Sequence, residues 1–393
     1  MSRRVIVVCA ATVLALYLFV ALALLQPQRR LSYAPGSDFI TFWAASHLVL
    51  QGKPASVYDS AALAAQQALV LPYAPARVWY YPPTFLLAIA PLAALPYLVS
   101  YICFMLATLL PYLWLLWRSL RSSEGMICVL AFSGLWFNLL HGQNAFLTAA
   151  LAAAGILMLE TRPILAGICI GLLAIKPHLA MLFPLALLAA SYWRALFAAA
   201  ITATIFALAG LLAFGPAVID GFMGGLNSAR LSIETGLLPW QKIPNLFAAA
   251  RMLGVDVGYA YLLQSLGALT MAWLVWRAWR AGGALLLRGA LLMSATFFVS
   301  PYCFDYDLAW LAFPIAWLTL DGIRNGWKAY EGVLLALAWL LPTLMLLLAI
   351  WWPLPVAPAI LAGLAWMAWR RLRTQHDAKS QAIISPAASR SCA

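Results

Sequence analysis

Val5-Ile6-Val7-Val8-Cys9-Ala10-Ala11-Thr12-Val13-Leu14-Ala15-Leu16-Tyr17-Leu18-Phe19-Val20-Ala21-Leu22-Ala23-Leu24-Leu25 runs without a charge behind Arg3 and Arg4. A helix of about 21 residues, at 1.5 Å per residue, covers the roughly 30 Å of a bilayer's hydrocarbon. The stretch resembles a secretory signal in its flanks, but no small-residue cleavage site follows it, so it reads as an uncleaved first helix. The pattern recurs to the end of the chain. With 65% hydrophobic and 9% charged residues, far below the roughly 25% charge of soluble domains, the expected fold is an all-α polytopic membrane protein.

The net charge is +12. Its basic residues are scattered between apolar stretches and form no single patch, which argues against nucleic acid as a partner and for topology signals in contact with membrane lipids. Cys9, Cys103, Cys128, Cys169, Cys303 and Cys392 are mostly isolated within apolar runs, lack metal-ligand spacing and read as small packing residues.

Apolar runs of spanning length fall at about 5 to 25, 97 to 117, 126 to 141, 143 to 160, 163 to 175, 178 to 192, 195 to 214, 258 to 278, 286 to 300, 306 to 320, 331 to 350 and 355 to 369, which predicts about 12 transmembrane helices. With the N-terminus inside, Arg29, Arg30, Lys53, Arg77, Lys176, Arg230, Lys242 and Arg251 lie outside, and the other 16 of 24 basic residues lie inside. That bias fits the positive-inside rule. The organisation expected is a transmembrane domain over 1–370, with a first extracytoplasmic loop at 26–96, a second at 215–257, and a cytoplasmic disordered tail at 371–393.

The first loop carries helix signals. Ser37 is placed to cap a helix from Asp38 to Gln51, with Phe39, Phe42, Trp43, Val49 and Leu50 on a face that would lie in the membrane interface, and Gly52 as its stop. A second short helix is predicted from Ser60. A third follows Tyr81-Pro82-Pro83, where proline in the first turn removes only an unbonded donor. At about fourteen residues, 83 to 96 is too short to cross and reads as juxtamembrane or re-entrant.

The polar residues of the outer half are the candidates for chemistry. Asp38, at a helix start where the macrodipole favours negative charge, reads as a catalytic base or as a carboxylate that only steadies the turn. Asp59 reads first as a cap. Lys176 sits at a Pro-broken turn and can offer a point charge to a phosphate or simply snorkel. His178 can serve that site or be a hydrogen-bonded core imidazole. His141, Gln143 and Asn144 either line a cavity or satisfy a tight turn. Asp305 and Asp307, two residues apart, point to different faces; one can pair with Lys176 or Arg230, or bind a sugar hydroxyl. Ionisable groups at membrane depth cost roughly 2.5 to 3.5 kcal/mol on insertion scales and so tend to mark function.

In order along the chain stand Asp38-Phe39 with Phe42-Trp43, Gly52 with Pro54 and Tyr58-Asp59, Tyr81-Pro82-Pro83, Gly142-Gln143-Asn144, Arg162-Pro163 with Ala166-Gly167 and Lys176-Pro177, and Ser300-Pro301 with Tyr306-Asp307-Leu308. Each piece is weak alone, but their order resembles glycosyltransferase family 87, the polyprenol-phosphate-mannose-dependent mannosyltransferases and their bacterial relatives in the GT-C superfamily. The resemblance implies a GT-C membrane fold in the plasma (inner) membrane with an extracytoplasmic active site. It further implies a hexosyltransferase that moves a sugar, mannose for preference, from a polyprenyl-phosphate donor to a lipid or glycan acceptor with inversion. It carries the family's essential aspartate onto Asp38 and its Lys-Pro element onto Lys176-Pro177. Where those mannosyltransferases carry histidine after Ser-Pro, this chain has Asp305 and Asp307, so the acceptor and donor sugar stay open.

On this reading Asp38 takes the acceptor's proton, and Lys176, His178 and Arg230 meet the donor phosphate. Asp59, His141, Gln143, Asn144, Asp305 and Asp307 contact substrate. No cluster of metal-ligand carboxylates is apparent, so no metal and no other cofactor is expected. A transporter or flippase for a lipid-linked sugar is the alternative; it calls for inverted repeats and midplane polar groups, and no clear repeat is present. A non-catalytic membrane scaffold is the third reading.

Overall fold

The computed structural model describes residues 3–24, 36–72, 75–352 and 354–384. Among them there is helix and no strand, the architecture of a helical membrane protein. Tyr97–Leu120, Trp193–Phe214 and Glu331–Ala349 are long and apolar enough to cross a bilayer, and Ser123–Leu130 with Ser133–His141, bent by 49°, makes a broken fourth. The remaining apolar runs include shorter pieces such as Ala145–Met158, Pro163–Ile175, Pro177–Ala189 and Leu285–Phe298. By length and composition, the three long helices and the bent pair account for four of the twelve expected spans among the described residues. Several expected spans are interrupted by 3-10 turns, at Leu172–Ile175, Thr296–Phe298 and Asp305–Leu311.

Small residues let these short helices pack closely. Gly167 and Gly171, one helical turn apart, face Ala195, Ala199 and Thr202 of Trp193–Phe214, and a Cβ on Gly171 would stand 2.6 Å from the Ala199 carbonyl oxygen. This is the small-residue contact that lets helix backbones approach in the absence of a hydrophobic driving force.

The first loop folds as short helices, with one correction. Its helix runs Phe39–Leu50 with Asp38, not Ser37, at the N-cap position, and ends at Gly52 with φ +74°. It does not lie aromatic face down in the interface: Phe39 and Phe42 are fully buried, packed on Tyr101, Phe104 and Phe85. The second helix begins at Ser60 and the third is Pro83–Ile89, followed by a 3-10 turn at Leu92–Ala94. The stretch 215–257 is also mostly helical, with Ala217–Glu234, a turn at Trp240–Lys242 and Leu246–Met252. Asn245 caps the last of these and donates to the Ser300 carbonyl at 3.2 Å.

Two further expectations are revised. The tail was expected to be disordered from residue 371, yet the helix Ala357–Ile384 runs through that point; residues 385–393 lie outside the described residues. Arg371 holds it there, buried, 2.5 Å from Asp321 and paired with buried Glu331, which also binds Arg370 at 2.7 Å. Arginines read as topology signals are thus partly structural, as is Arg288, which reaches Glu160 at 3.4 Å and lies over the Trp279 ring.

Candidate active site

The site begins where the Gly36–Asp38 turn docks on the end of Ser133–His141. Gly36 N–H donates to the Leu140 carbonyl at 2.8 Å and Asp38 N–H to the His141 carbonyl at 2.9 Å, satisfying carbonyls the helix leaves open. Gly142 makes the approach possible: its φ is +73°, and a Cβ there would stand 2.7 Å from that of Phe39. Asp38 is thereby fixed beside Gln143, although the two are 105 residues apart.

Two holds meet on the Asp38 carboxylate. The Gln143 Nε2 amide donates to Oδ2 at 3.2 Å, and the Tyr81 hydroxyl donates to Gln143 Oε1 at 2.8 Å, which settles the orientation of the amide. Burial first, and then the charge of Asp307, push ionisation of Tyr81 well above the usual phenol range, so it remains a donor. Arg77 supplies the second hold, Nε standing 3.2 Å from Oδ1. That Nε makes no aligned hydrogen bond, so the contact is a charge pairing across a partly open side chain, 41% exposed against 18% for Asp38.

Lys176 occupies the break between two short helices, its backbone out of the helical region that the following proline disfavours. Its ammonium is buried 2.5 Å from Asp307 Oδ1 and 5.0 Å from the Tyr306 ring centroid. Asp307 Oδ2 accepts from the Phe304 N–H at 3.1 Å. His141 Nδ1 donates to the Phe137 carbonyl at 2.8 Å, which leaves Nε2 to accept from Lys242 Nζ at 3.4 Å. Asp305 is buried within electrostatic reach of both His141 and Lys242. Arg230 makes a loose, exposed pair with Glu234 at 3.7 Å, of the kind worth little in water.

These segments enclose one cavity of about 540 Å³, whose walls include Asp38, His141, Gln143, Lys176, His178, Arg230 and Asp305. Tyr80, Tyr81, Tyr302, Phe304 and Tyr306 give it an aromatic lining. Three expected substrate contacts are absent from the walls. Asp59 caps the helix at Ser60, its Oδ1 accepting from Ala61 N–H at 2.9 Å. Asp307 stands behind Lys176. Asn144 is fully buried in the protein with no hydrogen-bond partner for its amide. Lys176 reaches the wall with its charge already met by Asp307, and the charged wall residues given no role by the sequence are Arg77, counted only as a topology charge, and Lys242, one of the polar residues of the second outer loop.

Residues 79–301, more than half of the chain, match the model of glycosyltransferase family 87. The chain belongs to glycosyltransferase family 87. The matched stretch holds Tyr81, His141, Gln143, Lys176, Arg230 and Lys242, while Asp38 and Arg77 precede it and Asp305 and Asp307 follow it. No curated protein and no solved structure matches the chain. A family 87 enzyme transfers a glycosyl unit, and the cavity of this chain presents carboxylates, cationic side chains and an aromatic wall.

Proposed function

We propose that this glycosyltransferase moves a hexosyl unit, mannose for preference, from a polyprenyl-phosphate donor to a lipid or glycan acceptor at the extracytoplasmic face of the plasma membrane. The observation that carries the reading is the position of Asp38, partly open to a cavity whose wall also presents Arg77, Arg230 and Lys242. An acceptor hydroxyl is a weak nucleophile. Asp38 takes its proton as the oxygen bonds to the anomeric carbon; the bond from that carbon to the phosphate oxygen breaks, and its electron pair leaves with the lipid phosphate.

A single displacement by the acceptor oxygen, with Asp38 as base and no carboxylate acting as nucleophile, inverts the anomeric centre. Lys242 and Arg230 meet the charge growing on the leaving phosphate, with Lys176 contributing from its pair with Asp307. His178 presses edge-on against Tyr302 with its Nε2 unpartnered, and with His141 and Asp305 it faces the space a sugar would fill.

The test is transfer itself. Purified protein supplied with radiolabelled polyprenyl-phosphate sugar and a membrane lipid or glycan extract is expected to yield labelled acceptor with inverted anomeric configuration. Movement of intact lipid-linked sugar across a vesicle, with no bond made, would instead assign the chain to transport.

A further inference from the structure

The hold on Asp38 that is charged and the hold that is neutral do different jobs. A carboxylate serving as base must keep its position yet be free to accept a proton, and a guanidinium beside it opposes that step, because protonation would leave the cation unpaired. Gln143, oriented by Tyr81, keeps Oδ2 in place independently of Arg77, and the Asp38 N–H bond to His141 anchors the backbone. The Arg77 contact is therefore not needed to position the base.

Arg77 is also built so that its backbone stays while its side chain can leave. Buried Gln67 binds the Arg77 main chain on both sides, its Nε2 donating to the Arg77 carbonyl at 2.7 Å and its Oε1 accepting from the Arg77 N–H at 2.8 Å. The side chain beyond this clamp is two-fifths exposed, lines the cavity and meets Asp38 without an aligned hydrogen bond. A guanidinium forks onto phosphate oxygens better than onto a carboxylate it meets off line.

We infer that Arg77 is a donor-binding residue that exchanges partners: it covers Asp38 in the empty site, transfers to the lipid phosphate when the donor enters, and so frees the base only once a donor is present. This rests on the proposed donor class and on Asp38 as base. It makes the order of binding donor first, and it limits proton abstraction in a site with no sugar to transfer.

Binding of a polyprenyl monophosphate to purified protein in detergent, with the uncharged polyprenol as control, separates the inference from the reading beneath it. Removing the competing carboxylate by Asp38→Asn is expected to tighten phosphate binding about two- to fivefold, the size of a partly exposed ion pair. Arg77→Met is expected to weaken it about tenfold or more, the size of a charge-assisted contact, with Arg77→Lys in between. The double variant should bind like Arg77→Met alone, and polyprenol binding should not change.

Unchanged or weaker phosphate binding in Asp38→Asn would overturn the exchange, as would unchanged binding in Arg77→Met. Because Asp38→Asn is read separately from the Arg77 variants, a poorly folding Arg77→Met leaves a decisive arm. Failure of Asp38 as base would appear elsewhere, as transfer that survives Asp38→Asn.

Discussion

Lys176 and Asp307 are buried, and the desolvation each charge suffers is tolerable only because the other stands 2.5 Å away. Removing one partner should therefore cost stability as well as function. Lys176→Met is expected to destabilise the protein by about 3–5 kcal/mol, read as a lower melting temperature in detergent, and Lys176→Met with Asp307→Leu should recover much of that loss. A single variant as stable as the parent would refute the buried pairing. The sequence marks Lys176 and the two aspartates as unusual, since ionisable groups are rare in so apolar a chain. It does not mark Arg77, because an isolated loop arginine looks like any topology charge until Gln67 fixes its backbone and Gln143 brings Asp38 to it.

At the scale of elements, Gly142 lets the helix that begins at Phe39 dock against the end of the helix Ser133–His141. Gly142→Ala places a side chain in the left-handed region, at about 1–2 kcal/mol, and drives it against Phe39. The expected result is lower thermal stability together with a drop in transfer, since Asp38 moves with the Phe39 helix; full activity at unchanged stability would contradict this account of the turn. The apolar runs, the helix starts at Ser60 and Pro83 and the stop at Gly52 are legible in the sequence because each follows from a local residue type. The 3-10 interruptions are not, since an apolar run has the same composition whether it winds as 3-10 or α. The helical continuation past residue 371 is hidden for another reason: the partners of Arg371 lie 40 and 50 residues earlier.

For the whole molecule, the charge bias predicts which side each loop faces, and the cavity gathers segments that the bias places together outside: Asp38, Arg77, Lys176, Arg230 and Lys242. Cysteines introduced at exposed Leu237 and Asn325, in a background lacking native cysteines, test this. A membrane-impermeant maleimide on intact cells should label position 237 and spare position 325; the reverse pattern would invert the topology. The gathering itself was legible only in part, because seven of the residues singled out in the sequence line the cavity while Asp59, Asn144 and Asp307 serve the fold. The most direct test of the central claim is single-turnover sugar transfer by Asp38→Asn at saturating donor. A fall of about 10²- to 10⁴-fold is expected for loss of a general base, even though polyprenyl-phosphate binding by the same variant is tightened. Transfer at the parental rate would contradict the account.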